Sequence, residues 1–188
     1  VMATEKLEFP SAAGETLAAR LDLPDGMLRG CALFAHCFTC TKDIVAARRI
    51  AANLSRLGIA VLRFDFTGLG SSEGEFANTS FRSNVADLVA AADYMRAHLE
   101  APVLLIGHSL GGAAVLAAAH DIPEVKGVVT IGAPADTEHV LRMFKEDLET
   151  IERDGEAEVS LAGRKFKIGK GFLDAARSTK LLDRLPKL

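Results

Sequence analysis

Residues 107–111 read Gly-His-Ser-Leu-Gly, between the apolar run "PVLLI" and the alanine-rich run "GAAVLAAA". That order is strand, sharp turn, helix. Gly107-x-Ser109-x-Gly111 has the spacing of a nucleophile elbow, in which a serine hydroxyl stands out at the tip of a strained turn. The flanking glycines leave room for the turn and let the helix approach the strand. A serine so placed attacks an acyl carbonyl only when a histidine takes its proton and an acid steadies that histidine. Without such partners the same residues make a glycine-rich turn that binds nothing, or that holds a phosphate at a helix N-terminus.

A second stretch, "FAHCFTCTKD" at 34–43, also closes a strand and opens a helix. In acyl-transfer chemistry on such a scaffold, this turn supplies one backbone N–H to the oxyanion and the residue after the nucleophile supplies the other. Here those residues are Phe38 and Leu110. His36 comes too early in the chain to be the base and is expected to fix the loop by hydrogen bonding. Cys37-x-x-Cys40 in the same turn has the form of a thioredoxin-like redox pair. It lacks the second pair that would complete a zinc site, and the expectation is that the cysteines simply line a buried turn. "RFDFTGLGSSEGEF" holds Gly68-x-Gly70, but Glu73 stands where a dinucleotide fingerprint needs its third glycine. Asp65 is therefore read as a structural acid that organises the turn.

The elements that must position these residues follow from periodicity. "EKLEFPSAAGETLAARLDLP" predicts an edge hairpin turning at Ala13-Gly14-Glu15. "GCALFAHCF" and "GIAVLRFDF" are continuous apolar strands, as in a parallel sheet covered on both faces. Between them Ile44, Ala47, Ile50, Ala51, Leu54 and Leu57 fall at helical spacing, with Gly58 as the stop. Ser80 caps a second helix carrying Val85, Leu88, Val89, Ala92, Met95 and Leu99. A strand at 102–107, a helix from 110 to 119 and a strand at 125–134 continue the rhythm. The alternation predicts an α/β fold, a doubly wound, mainly parallel sheet with ligand chemistry at the carboxyl ends of its strands. After Pro134 it breaks into an amphipathic helix ending at Asp154-Gly155, a hairpin turning at Ala162-Gly163, and a helix from Gly171. The expected organisation is a core over 1–136, a small helix and hairpin cap over 137–180, and a return toward the core over 181–188.

The 188 residues, 49% of them hydrophobic, suffice for one domain with a sizeable core. A net charge of -3 gives no field to draw nucleic acid or anionic lipid. Basic residues gather only in the tail from Arg164, read as a solvated face. The opening residues have no apolar leader and no run has the length of a membrane span, so the expected location is cytoplasmic. Cys31, Cys37 and Cys40 make no even disulfide framework, which points to the same reducing compartment.

With the "HCFT" turn, "RFDFTGLGSSEG", "GHSLGG" and "VVTIGAPAD" assembled, the chain resembles the α/β-hydrolase superfamily over nearly its whole length. "FAHCFTCTKD", "NTSF" and "AEVSLAGRKFKI" look more narrowly like the hydrolase part of bacterial α/β-hydrolase/OsmC fusion proteins. The superfamily's usual His-Gly is His36-Cys37 here, which narrows the space beside the reacting carbonyl. The resemblance implies an acyl-ester hydrolase with Ser109 as nucleophile, no metal or organic cofactor, and a small-molecule ester as its partner. It also implies a triad in the order Ser, Asp or Glu, His, with acid and base after the last two strands. On that reading the chain stops before both, leaving Ser109 at unassisted reactivity and a sheet edge open to a missing C-terminal segment or to self-association. Within the chain, Asp136 is the candidate acid, while His139 and His120 do not match the base. The rivals are a redox module cycling Cys37 and Cys40, and a non-catalytic binding domain with a vestigial elbow.

Overall fold

The hairpin that opens the chain joins β1 (Ala3–Pro10) to β2 (Thr16–Leu23). Its turn is tied by Ser11 Oγ, which accepts from the N–H groups of Ala13 and Glu15. In this computed structural model, residues 3–135, 141–142, 145–161 and 163–178 are described. Next come β3 (Gly30–Ala35), α1 (Val45–Arg56), β4 (Ile59–Phe64) and α2 (Phe81–His98). The core continues through β5 (Leu104–His108), α3 (Leu110–Ala118) and β6 (Gly127–Ile131). The six strands form one sheet in the order β1-β2-β4-β3-β5-β6, with the first two pairings antiparallel and the rest parallel. This is the mainly parallel, doubly wound α/β sheet that the alternation predicts.

From β3 the chain moves first to β4 on one side and then to β5 on the other. The reversal opens a crevice above the carboxyl ends of β3 and β5, where ligands bind in sheets of this kind. Side-chain alternation along β3 serves both faces. Ala32 and Phe34 pack with Ala47 and Ala51 of α1, whereas Cys31, Leu33 and Ala35 join the cluster under α2 and α3. Small residues on α1 let it lie close to the sheet; Leu57, expected on its apolar stripe, is instead 58% exposed beyond the last turn.

Ser80 caps α2 as expected, in a reciprocal capping box with Ser83. The buried stripe of α2 departs from an apolar one, because Asn84 and Asp87 lie within it. The Asp87 carboxylate accepts from Thr67 N at 2.9 Å and Thr67 Oγ1 at 3.0 Å, holding the loop after β4.

Beyond the sheet, the amphipathic helix expected from residue 137 is represented by α4 (Leu148–Asp154), preceded by a 3₁₀ turn at 145–147; residues 136–140, 143 and 144 lie outside the described ones. Gly155, at φ 86°, ends α4 in the left-handed conformation expected of a helix stop. A separate hairpin follows, β7 (Glu156–Leu161) with β8 (Arg164–Gly169), then α5 (Lys170–Ser178). Phe166 and Phe172 bring this hairpin and helix onto Phe38 and Phe76 of the core, with ring centroids 5.7–6.5 Å apart. The basic residues of β8 face solvent, with Lys165 and Lys167 paired to Glu158 and Glu156 across the hairpin. On the far side of the core β6 forms the sheet edge among the described residues, with Val129 46% and Ile131 39% exposed. No described helix is long and apolar enough to cross a membrane.

Burial pushes the Asp87 carboxyl up to about 6, against the opposing hydrogen bonds from Thr67. Between its ordinary range and that value the folded protein holds a proton that the unfolded chain has released, so this group makes stability fall as pH rises from about 4 to 6. An amide at the same place can accept from Thr67 N and donate to Thr67 Oγ1. Denaturant titrations at pH 4 and pH 7 should therefore show Asp87→Asn gaining stability relative to the wild type at the higher pH. An unchanged difference between the two pH values would rule the account out.

Candidate active site

Ser109 is the one non-glycine residue with positive φ among the described residues, at φ 53° and ψ -121°. A left-handed serine is strained and must be held by its surroundings. Its N–H donates to Ile131 O of β6 at 2.8 Å, and its carbonyl accepts from Gly112 N and Ala113 N as α3 begins. The glycines make this possible. A Cβ on Gly107 would overlap Gly111 O, one on Gly111 would lie 2.5 Å from His36 O, and one on Gly112 would lie 2.6 Å from Ala133 Cβ. Thus α3 is pressed directly against β5 and against the backbone leaving β3.

The second turn stands beside the first, because β3 and β5 are neighbours with Ala35 opposite Gly107. Cys40 N donates to Cys37 O at 3.0 Å, closing a β-turn that has Phe38 and Thr39 as its central residues. His36 Nδ1 donates to the same carbonyl at 2.5 Å. The expected loop-fixing role of His36 is what the structure displays. The cysteines depart from expectation: Cys37 and Cys40 are joined in a disulfide, leaving Cys31 free and buried. The reading that three cysteines make no disulfide framework and that Cys37 and Cys40 simply line a buried turn is corrected, since the β-turn brings the two Cα atoms to 5.2 Å, within bridging range. Burial pushes the Cys31 thiol up to about 11, so this sulfur is not a thiolate near neutral pH.

Asp65 organises the region from the end of β4, with no exposure. Its carboxylate accepts from Lys42 N and Lys42 Nζ, both at 2.7 Å, and from Ser71 N at 2.9 Å. His36 Nε2 is 3.4 Å from Asp65 Oδ1, a long electrostatic contact rather than a well-formed hydrogen bond. Burial alone would raise this carboxyl, but its contacts with His36, Lys42 and Ser71 hold it well below the usual carboxylate range. Gly70, at φ 55°, lies so close that any Cβ there would collide with the carboxylate. Arg63 extends the network, pairing with Asp22 at 2.7 Å and donating to Lys42 O at 2.5 Å. Sequence reasoning placed Asp65 but missed buried Lys42, Arg63 and Asn84, because a lone polar residue carries no signal for which face its fold will cover.

The elbow and the β-turn are therefore together, with Ser109, Leu110 and Phe38 at one end of the sheet. Asp136 and His139 lie outside the described residues, and His120 sits at the far end of α3. A cavity of about 1320 Å³ runs along α2 between Phe9, Phe81, Val89 and Tyr94 and contains no elbow residue. The crevice above β3 and β5, rather than that groove, is the candidate site.

A doubly wound sheet carrying a strained serine between β5 and α3 defines the α/β-hydrolase class. The family model described as serine aminopeptidase, S33 matches residues 29–153, and the chain belongs to that family. Among solved structures it is similar to the esterase domain of a Rhodothermus marinus protein, at 46% identity and TM-score 0.72, covering 97% of this chain and 71% of that one. A serine hydrolase without lid from Xanthomonas campestris is 28% identical at TM-score 0.63, covering 70% of this chain and 62% of that one. The mitochondrial palmitoyl-protein thioesterase ABHD10 of Rattus norvegicus is 38% identical over 88 residues, 47% of this chain and 28% of that protein. The monoglyceride lipase of the same species is 38% identical over 85 residues, 44% and 28% of the two chains. The matched segments thus span less than a third of these two relatives' length.

Two substitutions test the packing of the site. Gly111→Ala drives a methyl into backbone that cannot yield, and should cost about 3 kcal/mol, read as a melting temperature lowered by roughly 10 °C. Asp65→Asn takes from the buried Lys42 ammonium its counter-charge at 2.7 Å, leaving only the part-exposed Asp43 carboxylate at 3.3 Å, and should cost about 3 kcal/mol at neutral pH. Because the folded carboxyl is depressed, its contribution is present above about pH 4 and lost as pH falls further. Urea titrations should therefore find the variant's deficit shrinking at acid pH; a constant deficit contradicts the assignment.

Proposed function

We propose that this domain is a serine hydrolase acting on carboxylic esters through an acyl-enzyme on Ser109. The observation that carries the reading is the positive-φ serine standing at the switch point of the sheet, beside a β-turn with a free donor position. Ser109 Oγ attacks the carbonyl carbon, and the carbonyl oxygen takes the negative charge. The N–H groups of Phe38 and Leu110 hold that oxyanion. Phe38 is the second residue of its turn, so its N–H is not used by the turn's own hydrogen bond, and Leu110 N–H belongs to the first turn of α3, where no intrahelical acceptor exists. Collapse expels the alcohol, and water then releases the acid.

The base is neither His36, sealed in the core against Cys37 O and Asp65, nor His98, stacked on Tyr94 at the end of α2. Asp136 remains the acid proposed from within the chain. Residues 137–180 act as the cap. The aromatic cluster of Phe38, Phe76, Phe166 and Phe172 beside the oxyanion turn, with buried Leu141, supports an apolar acyl group. The names of the relatives, a palmitoyl-protein thioesterase and a monoglyceride lipase, lean the same way. The motifs shared with hydrolase/OsmC fusions support a natural setting beside an OsmC-type domain in the cytoplasm. The apolar edge at β6 supports association there, with a further segment or a second copy.

A fluorophosphonate probe followed by intact-mass analysis tests the nucleophile directly. One adduct is expected, absent from Ser109→Ala, together with a loss of at least about 10³-fold in aryl-ester hydrolysis by the full-length protein. Undiminished turnover in that variant would sink the assignment.

A further inference from the structure

The hydrolase reading leaves three side chains unused at the mouth of the crevice. Cys37, Cys40 and His108 each offer a donor atom, and these atoms all lie within 4.8 Å of one another. We propose that, once the Cys37–Cys40 bridge is reduced, these three residues form a binding site for a borderline-soft divalent cation, Zn²⁺ above all.

The donor set suits that ion. Zn²⁺ takes thiolate sulfur at about 2.3 Å and imidazole nitrogen at about 2.0–2.1 Å, so tetrahedral ligand atoms stand roughly 3.5–3.8 Å apart. Two sulfurs released from a covalent bond move out to a comparable separation through their own repulsion. The histidine contributes an independent sign of a missing partner. His108 Nδ1 is buried and has no hydrogen-bond partner, so no other group of the fold holds this imidazole through that nitrogen. Around the sulfurs, Thr39 Oγ1 lies 3.3 Å from Cys37 Sγ, where its hydroxyl can donate to a thiolate. Arg164 Nη1 donates to Thr39 O at 3.4 Å, tying the same turn to β8.

The Cys-x-x-Cys spacing lacks a second pair in the sequence, and the expectation there is of no metal. The fold changes this by setting the β-turn after β3 beside the end of β5, which brings His108 to the two sulfurs. The chemistry balances without an unnamed reactant. Two equivalents of a thiol reductant give two electrons and two protons to the bridge and leave as their own disulfide; binding the ion then releases two protons from Cys37 and Cys40. The fourth position stays open to water. Because Phe38 lies between the two cysteines, a bound ion would clamp the segment bearing the proposed oxyanion donor. That consequence rests on the hydrolase reading; the site itself does not.

The test uses the purified protein reduced with a phosphine, incubated with Zn²⁺ alone, passed over a desalting column and assayed for metal per chain. About one ion per reduced chain is expected, and less than about a tenth as much on the oxidised chain. Cys37→Ser, Cys40→Ser and His108→Asn should each weaken binding by about tenfold or more in competition with a chromophoric chelator. Retention of full affinity by any of the three removes that residue and overturns the three-ligand site, as does a reduced wild type that binds no zinc. If a variant fails to fold, Co²⁺ on the reduced wild type decides, since thiolate ligation gives near-ultraviolet charge-transfer absorption and its absence refutes the proposal. No ester enters these measurements, so a full-length protein that binds zinc yet resists fluorophosphonate ends only the hydrolase reading.

Discussion

Everything at the carboxyl end of the sheet depends on how closely α3 lies against β5 and β3. At Gly107, Gly111 and Gly112 a single extra carbon would meet backbone or Ala133, so the helix takes a position that no other residue type allows. That approach forces the chain from strand to helix in one residue, and Ser109 absorbs the reversal with a left-handed conformation. The same contact presses α3 on the carbonyls of Ala35 and His36, so the serine turn and the turn after β3 share one piece of backbone. The strain is spread over a hydrogen bond to β6 and the start of α3, which explains how a residue of ordinary chirality is kept there.

The Asp65 network does for the loops what the glycines do for the helix. One buried carboxylate reaches Lys42 after the oxyanion turn and Ser71 in the glycine-rich loop, while its own carbonyl accepts from Ser72 Oγ at 2.5 Å. Loops that would otherwise follow separate paths are therefore referred to a single point at the end of β4. A buried ion pair adds little net stability on its own, but here it fixes geometry, since removing Lys42 would strand the Asp65 charge in a dry environment and removing Asp65 would leave Lys42 only the more distant Asp43. Arg63 and Asp22 carry the constraint back to β2, so the antiparallel edge and the catalytic end are mechanically joined.

The hairpin β7–β8 and α5 complete the picture by packing onto the same turn from outside. Gly169 lets β8 pass against the backbone of Ala77, and Phe166 and Phe172 close over Phe38 and Phe76. The apolar side chain of Phe38 thus sits between the sheet and this outer hairpin, while its backbone belongs to the candidate site. Shifts in this hairpin and helix therefore bear directly on the turn after β3, a coupling that follows from packing rather than from any flexible hinge.

Sequence alone determined the elements and the place of the serine turn, because local patterns cause both. Apolar runs of strand length, the Ser80 cap that starts a helix and the Gly-x-Ser-x-Gly spacing act within a few residues of chain, and each appears where expected. What required the tertiary structure was partnership across the chain. Nothing in the spacing of Cys37 and Cys40 points to His108, because only the parallel pairing of β3 with β5 makes them neighbours. Likewise Asn84 and Asp87 read as the polar side of a helix until the loop after β4 covers them, and Lys42 reads as a surface lysine until Asp65 is found beneath it. Local propensity fixes what a segment becomes; the burial and chemistry of a side chain depend on what packs against it, and that is a property of the whole fold.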